Sequence, residues 1–265
     1  MKQYLKIAYS VLTELGIDPI RIVFFCLNFP KYCFQYIKFT ILSKKLILPA
    51  PILSDAAMAG GSTSSVYFLQ DFFVAKLLLS DDFSGDLCDV GSRWDGFVGA
   101  VSLFRQVIVL DVRPVQVPDF IDVEMYITDM SASPNKAAEH SGYLGEQSFG
   151  DFDVVTCLHS LEHFGLGRYG DMMDPDGHKK GIHALLDLTK QNGKIIVSFP
   201  PGNDRVLFNM ERRLNPNFIK KYFEKNGARL ASHYDLIDDE FVEKNNSNLD
   251  LRSRLVVQVY EKLTR

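Results

Sequence analysis

The chain has 265 residues, 46% of them hydrophobic and 23% charged, with a formal net charge of −4. That is enough apolar material for one large α/β domain with an appended segment, and the mild acidic balance offers no field that would attract nucleic acid. Cys26, Cys33, Cys88 and Cys157 lie far apart or on apolar runs with no CxxC pair, which excludes a disulfide framework and points to reduced thiols in a cytoplasmic protein.

Residues 1–52 read as a separate arm, helical, aromatic and basic. Its apolar stretch, 20-IRIVFFCLNFPKYCFQYIKFTIL-42, is interrupted by Pro30, Lys31 and Lys38, so it is too broken to cross a membrane. No early basic region leads to a small-residue cleavage site, which argues against a signal peptide. One reading packs the arm on the domain or on a second subunit. The other lays residues 20–45 in a membrane interface, at the inner face, with Phe24, Phe25, Phe29, Tyr32 and Phe34 inserted and Lys31, Lys38, Lys44 and Lys45 meeting lipid phosphates.

Residues 53–265 carry the main domain. Small residues in 54-SDAAMAGGSTSS-65 mark a linker. In 66-VYFLQDFFVAKLLL-79, Val66, Leu69, Phe73 and Leu77 recur at helical spacing, with Asp71 and Lys76 off that side. Segments then alternate: strand 86–91, helix 95–104, strands 107–112, 121–130 and 153–158, helix 180–190, strand 194–199, helix 216–227, and strand candidates 229–237 and 253–263. Such alternation predicts a Rossmann-like, doubly wound α/β sheet of about seven strands with a C-terminal antiparallel pair.

Sheets of this kind bind ligands at the carboxyl ends of their strands. Gly91 directly follows the first strand, where a bare backbone can turn tightly. Asp111 ends the second strand, 22 residues beyond Asp89, where an acidic side chain meets ribose hydroxyls, and Asp129 ends the third. Together they predict a nucleoside-type pocket. A pyrophosphate-binding turn needs G-x-G-x-x-G, and here the corresponding positions are Gly91, Arg93 and Gly96. Arginine at the middle position disfavours a dinucleotide and favours S-adenosylmethionine, which has no phosphate.

The stretches 67-YFLQDFFVAK-76, 89-DVGSRWDGFVG-99, 109-VLDVRP-114, 158-LHSLEHFGLGRYGD-171, 174-DPDG-177, 199-FPPG-202 and 208-FNMERRLNP-216 resemble the family known as domain of unknown function 268, a branch related to class I S-adenosylmethionine-dependent methyltransferases. The resemblance extends from about residue 60 to about residue 240. It implies the methyltransferase fold, S-adenosylmethionine as cofactor and a link to polysaccharide biosynthesis. In that geometry Gly91 lies under the methionine portion, Asp111 on the ribose and Asp129 near the adenine, with Asp89 or Arg93 at the amino-acid end and Leu158 beside the methyl donor. Asp89 could equally tie down its own loop.

The fourth strand tip then sits beside the chemistry. Methyl transfer to a sugar hydroxyl needs that hydroxyl deprotonated, for which His163 or His159 is a suitable base, with Glu162 orienting it. The same residues could instead shape the pocket and cap the next helix.

The stretch 164-FGLGRYGDMMDPDGHKKG-181 reads as a long loop over the strand tips. Arg168, Tyr169 and Asp171 suit a glycan or nucleotide-sugar acceptor, as do Asn203, Arg205, Asn209 and Arg212 further on. Asp171, Asp174, Asp176 and His178 could hold a divalent ion, but close Asp spacing in a glycine-bearing loop favours turn chemistry over a metal. The reading is a methyltransferase acting on a sugar or glycan hydroxyl in surface polysaccharide synthesis. Its alternatives are another sugar-modifying transferase, or a fold that has lost its cofactor and serves as a scaffold in glycan assembly.

Overall fold

The computed structural model describes Tyr9 and residues 11–43, 47–53, 63–131, 152–208, 210–245 and 247–264. Lys44 and Lys45, the linker residues 54–62 and Asn209 lie outside the described residues. The chain forms two compact units, Met1–Ser62 and Thr63–Arg265.

The first unit is built on α1 (Pro19–Ser43), a 25-residue helix that contains Pro30. Asp18 starts it, its carboxylate accepting from the Ile20 and Arg21 amides. Phe25, Phe29, Tyr32 and Tyr36 stack in succession along one stripe, with ring centroids 5.4, 6.2 and 6.1 Å apart. The Tyr36 hydroxyl donates to the Ile47 carbonyl at 2.6 Å. No helix among the described residues is long and apolar enough to cross a membrane.

The second unit is an eight-stranded sheet in the order β3-β2-β1-β4-β5-β10-β8-β9. Strands β1 (Leu87–Val90), β2 (Val107–Asp111), β3 (Val123–Ile127), β4 (Phe152–Leu158) and β5 (Thr189–Phe199) run parallel. Strand β10 (Val256–Lys262) enters antiparallel between β5 and β8 (Ala228–Ile237), and β9 (Glu240–Glu243) closes the edge. This is the expected doubly wound sheet with antiparallel C-terminal strands, one strand larger than read from sequence. A separate hairpin, β6 (Arg205–Leu207) with β7 (Glu211–Arg213), was not expected, because three residues per strand leave no periodicity to detect.

The inner strands read as continuous apolar runs because helices cover both faces. Period-two alternation divides them into two cores. Val90, Leu110, Val155 and Val197 pack with Ile182 and Leu185 of α4 (Gly177–Leu188) and with Ile219 and Phe223 of α5 (Pro216–Lys225). Leu87, Val109, Val154, Leu158 and Ile196 pack with Val74 and Leu78 of α2 (Val66–Leu78) and with Phe97 and Val101. Ser65 caps α2 by accepting from the Phe68 amide, and Asn215 caps α5 with Pro216 in its first turn.

Three local expectations change. The fully buried face of α2 carries Gln70, Asp71, Val74, Ala75 and Leu78, so Asp71 points inward; the Gln70 side-chain amide donates to it at 3.0 Å, and burial lifts its carboxyl to about 6. The helix expected at 95–104 is a π-helical turn, Trp94–Val98, running into one short α-turn, α3 (Gly99–Val101). Gly96 sits there against the Asp71 carboxylate, where a Cβ would collide. Finally, α4 begins at Gly177, inside the segment expected to be all loop. Gly177 and Gly181 are close-packing positions: a Cβ would strike the backbone of Gly165 at one and the ring of Phe164 at the other.

Candidate functional site at the strand tips

The tips of β1 to β4 surround a cavity of about 240 Å³. Gly91, Asp111, Asp129 and Arg93 line it, as do His159, His163, Tyr169 and Asp171. The structure thus brings eight of the expected site residues to one cavity. Val90, Leu110 and Met130 supply an apolar wall, which with a few convergent polar groups is the usual make-up of a small-molecule site.

Gly91 has φ +72°, and a Cβ would run into Ser160 Oγ, so only glycine lets β1 turn this close to β4. Asp89 is fully buried beneath that turn and does not line the cavity. Its carboxylate accepts from the Ser92 amide at 3.0 Å, from Ser92 Oγ at 2.6 Å and from Thr156 Oγ1 at 2.6 Å. Burial nevertheless pushes its carboxyl up to about 6, against those hydrogen bonds. Of the two roles considered for Asp89, the geometry is that of tying the loop. Leu158 also lies away from the cavity, with its side chain in the α2-side core and its amide bonded to Ser92 Oγ at 3.1 Å.

Two arginines occupy the rim. Arg93 forks onto Asp95 at 3.0 and 2.7 Å and covers the Tyr67 ring at 4.6 Å. Arg113 forks onto Asp111 at 3.1 and 2.9 Å and lies 4.4 Å over the Tyr169 ring. Asp129 joins the β3 tip to the covering loop, accepting from Ser131 and from the Met172 amide at 2.9 Å.

At the β4 tip the chain makes an abrupt turn. His159 has φ +51°, held by its amide donating to the Ser198 carbonyl at 3.0 Å and hydroxyl at 2.9 Å. A 3₁₀ turn, Leu161–His163, follows. Glu162 is fully buried between the two histidines: His159 Nδ1 touches its Oε1, and His163 Nε2 stands 3.8 Å from the same oxygen. The His159 ring also meets Tyr67 at a tilt, with centroids 4.7 Å apart, and Tyr169 meets His163 edge-on at 5.6 Å. Burial is the largest influence on His159 and works to lower its pKa, but the charge and close contact of Glu162, with the Glu211 charge, together outweigh it and the net shift is upward. For His163 burial prevails and the shift is downward.

The covering loop is held internally. Asp171 accepts from the amides of Gly165 (2.8 Å), Gly167 (3.1 Å) and Tyr169 (3.2 Å). Asp174 pairs with Lys180 and Asp176 with Lys179 at the start of α4.

The remaining acceptor candidates are not brought to the cavity. Arg212 is 4% exposed and donates to the carbonyls of Glu162, Phe164, Asp174 and Pro175, clamping the loop from beneath. Arg168 is exposed, bonds the Met210 carbonyl at 3.0 Å and flanks Tyr169. Asn203 and Arg205 are exposed at the β6–β7 hairpin.

Sequence reasoning missed Tyr67, Arg113, Thr128 and Ser160 as lining residues. Arg113 carried a usable signal, two residues beyond the carboxylate at the β2 tip. Tyr67 carried none, since only the fold sets the first turn of α2 opposite His159.

Sheet order, antiparallel insertion of β10 and a pocket over the first four strand tips define a class I methyltransferase-type fold. It is similar to an S-adenosylmethionine-dependent methyltransferase from Clostridium acetobutylicum (12% identity, 87% of this chain and 100% of that one, TM-score 0.51). It is similar also to the CurJ carbon methyltransferase (10% identity, 98% of this chain and 71% of that one, TM-score 0.52). The cyclase SpnF shares the fold too (13% identity, 74% and 81%, TM-score 0.50). No curated protein matches by sequence. The chain belongs to the family described as "Caenorhabditis protein of unknown function, DUF268", whose model matches residues 122–259, just over half of it.

Proposed function

We propose that the protein is an S-adenosylmethionine-dependent methyltransferase whose acceptor is a hydroxyl of a glycan or nucleotide sugar in surface polysaccharide synthesis. The observation that carries the reading is the convergence of Gly91, Asp111 and Asp129 with His159 and His163 on one cavity. The donor set fits the cofactor: carboxylates at the second and third strand tips suit ribose and adenine donors, and the apolar wall suits the rest of a nucleoside. When bound, S-adenosylmethionine supplies an electrophilic methyl group on a sulfonium sulfur. On this reading Asp111 and Asp129 orient the nucleoside, Gly91 admits it close to the backbone, and the His159, Glu162 and His163 group draws the proton from the acceptor hydroxyl. Tyr67 and Tyr169, with the guanidinium groups beside them, offer the flat and polar surfaces that hold a sugar.

A second reading, a cofactor-free scaffold in glycan assembly, draws on the two rim arginines, which already engage Asp111 and Asp95. Titration calorimetry with S-adenosylmethionine and S-adenosylhomocysteine separates the two. Micromolar binding lost in Asp111→Ala upholds the enzyme; no binding of either ligand to the folded protein favours the scaffold. For α1 we infer a peripheral contact at the inner face of a membrane, supported by its exposed phenylalanine and isoleucine side chains.

A further inference from the structure

At the β4 tip, one nitrogen of His159, one oxygen of Glu162 and one nitrogen of His163 all lie within 4.8 Å of one another. Glu162 is fully buried, and neither of its carboxylate oxygens has a hydrogen-bond partner; His159 Nδ1 and His163 Nδ1 are also buried without one. A buried carboxylate short of donors is destabilising unless a cation compensates its charge. His159 Nδ1 does touch Glu162 Oε1, but off the line of a hydrogen bond. Two imidazoles and one buried carboxylate thus present a ligand atom each to one point, with only the His159–Glu162 contact closed among them and His163 Nε2 3.8 Å from the carboxylate, which is the spacing of a ligand set. Backbone strain maintains that arrangement, since His159 is held with φ +51° by Ser198 on β5, and Arg212 fixes the Glu162 carbonyl from below.

We propose that His159, Glu162 and His163 bind a divalent transition-metal ion. Two imidazoles and one carboxylate select zinc, iron, cobalt, nickel or manganese over magnesium or calcium, whose sites are built from oxygen ligands. Three protein ligands leave positions open, and both histidines line the strand-tip cavity, so the open positions face it. The chemical class that completes the shell is an oxygen donor, a hydroxyl or vicinal diol of the bound acceptor. The ion would hold that oxygen in place and lower its pKa so that its proton passes to bulk water and not to a free imidazole; the oxygen would then take the methyl as the sulfur–methyl bond breaks, releasing S-adenosylhomocysteine. This last role rests on the methyl-transfer reading; metal binding itself does not.

The test uses the full-length protein, stripped with chelator and titrated with Co²⁺ and with Zn²⁺. We expect one equivalent of Co²⁺ per chain, with the visible absorption of a low-coordinate nitrogen and oxygen site, displaced by Zn²⁺. Glu162→Gln and His163→Gln should each weaken binding at least about tenfold, the effect that even outer-shell changes can reach. Absence of stoichiometric binding by the wild-type protein overturns the proposal, as does binding that both variants retain. Unchanged far-UV circular dichroism identifies variants that fold, and the wild-type titration decides the matter if neither does. Calorimetry with S-adenosylhomocysteine runs alongside: metal binding without it leaves the ion site standing and removes the methyl-transfer reading, and the reverse result does the opposite.

Discussion

Arg113 and Asp111 form a two-pronged ion pair at the tip of β2, with Nε to Oδ1 at 3.1 Å and Nη2 to Oδ2 at 2.9 Å, and the Arg113 amide adds a third bond at 2.9 Å. On the proposed methyl-transfer reading the carboxylate assigned to the ribose diol is already engaged, so a nucleoside reaching it competes with the guanidinium. The arginine is nearly half exposed, so the pair itself is worth only about 1 kcal/mol. Arg113→Ala should tighten S-adenosylhomocysteine binding severalfold, roughly the factor that energy represents, whereas Asp111→Ala should weaken it more than about tenfold. Calorimetry on both variants checks this. Weaker binding by Arg113→Ala would instead make the guanidinium a ligand contact.

Arg212 should behave as a clamp and not as an acceptor contact. Its guanidinium spans carbonyls from Glu162 to Pro175, and burial lowers its pKa. Arg212→Ala leaves those carbonyls short of donors and should cost about 3 kcal/mol of stability, with faster limited proteolysis in 164–176. Arg212→Lys should recover little, because an ammonium cannot reproduce the planar fork. Urea denaturation and protease mapping measure both; an unchanged midpoint would refute the clamp.

His178 predicts a pH dependence. Burial first, then Arg212 and Lys179, lower its pKa to about 4 from the ordinary 6.5. Between those values the unfolded chain binds the extra proton, so the stability contributed by this ring is fully present above pH 6.5 and is lost as the pH falls toward 4. The loss should be roughly 2–3 kcal/mol, allowing for the solvent screening of a partly exposed ring. Urea midpoints at pH 4.5 and 7.5 should differ more for the wild-type protein than for His178→Gln. Equal differences would remove His178 as the source.

The exposed aromatic side chains of α1 lead to an assay with lipid. The full chain should sediment with anionic vesicles and less with neutral ones, since Lys31 and Lys38 add attraction to lipid phosphates. A protein beginning at Leu53 should remain in the supernatant. Equal partitioning of the two would exclude a membrane role for the arm.

Much of this was legible in the chain itself, because some of its signals are local. An apolar run ending in Gly91 or Asp111 announces a buried strand and its tip, whatever the rest of the chain does, and the β-branched and aromatic stretch before Asp129 announces a half-exposed one. Strands alternating with helices impose a parallel sheet, and the sheet imposes a binding edge. What the tertiary structure decided are the relationships that cross the sequence. Tyr67 reaches His159 over 92 residues, and the side-chain direction of Leu158 depends on which face of β4 it falls on. Asp89 was open between pocket and loop until Thr156, 67 residues away, claimed its oxygen. Arg212 read as an acceptor contact because sequence reveals a charge but not the carbonyls that surround it. Grouping Glu162 with two histidines needed only adjacency, but its complete burial between them needed the packed fold, since burial is a property of neighbours and not of residues.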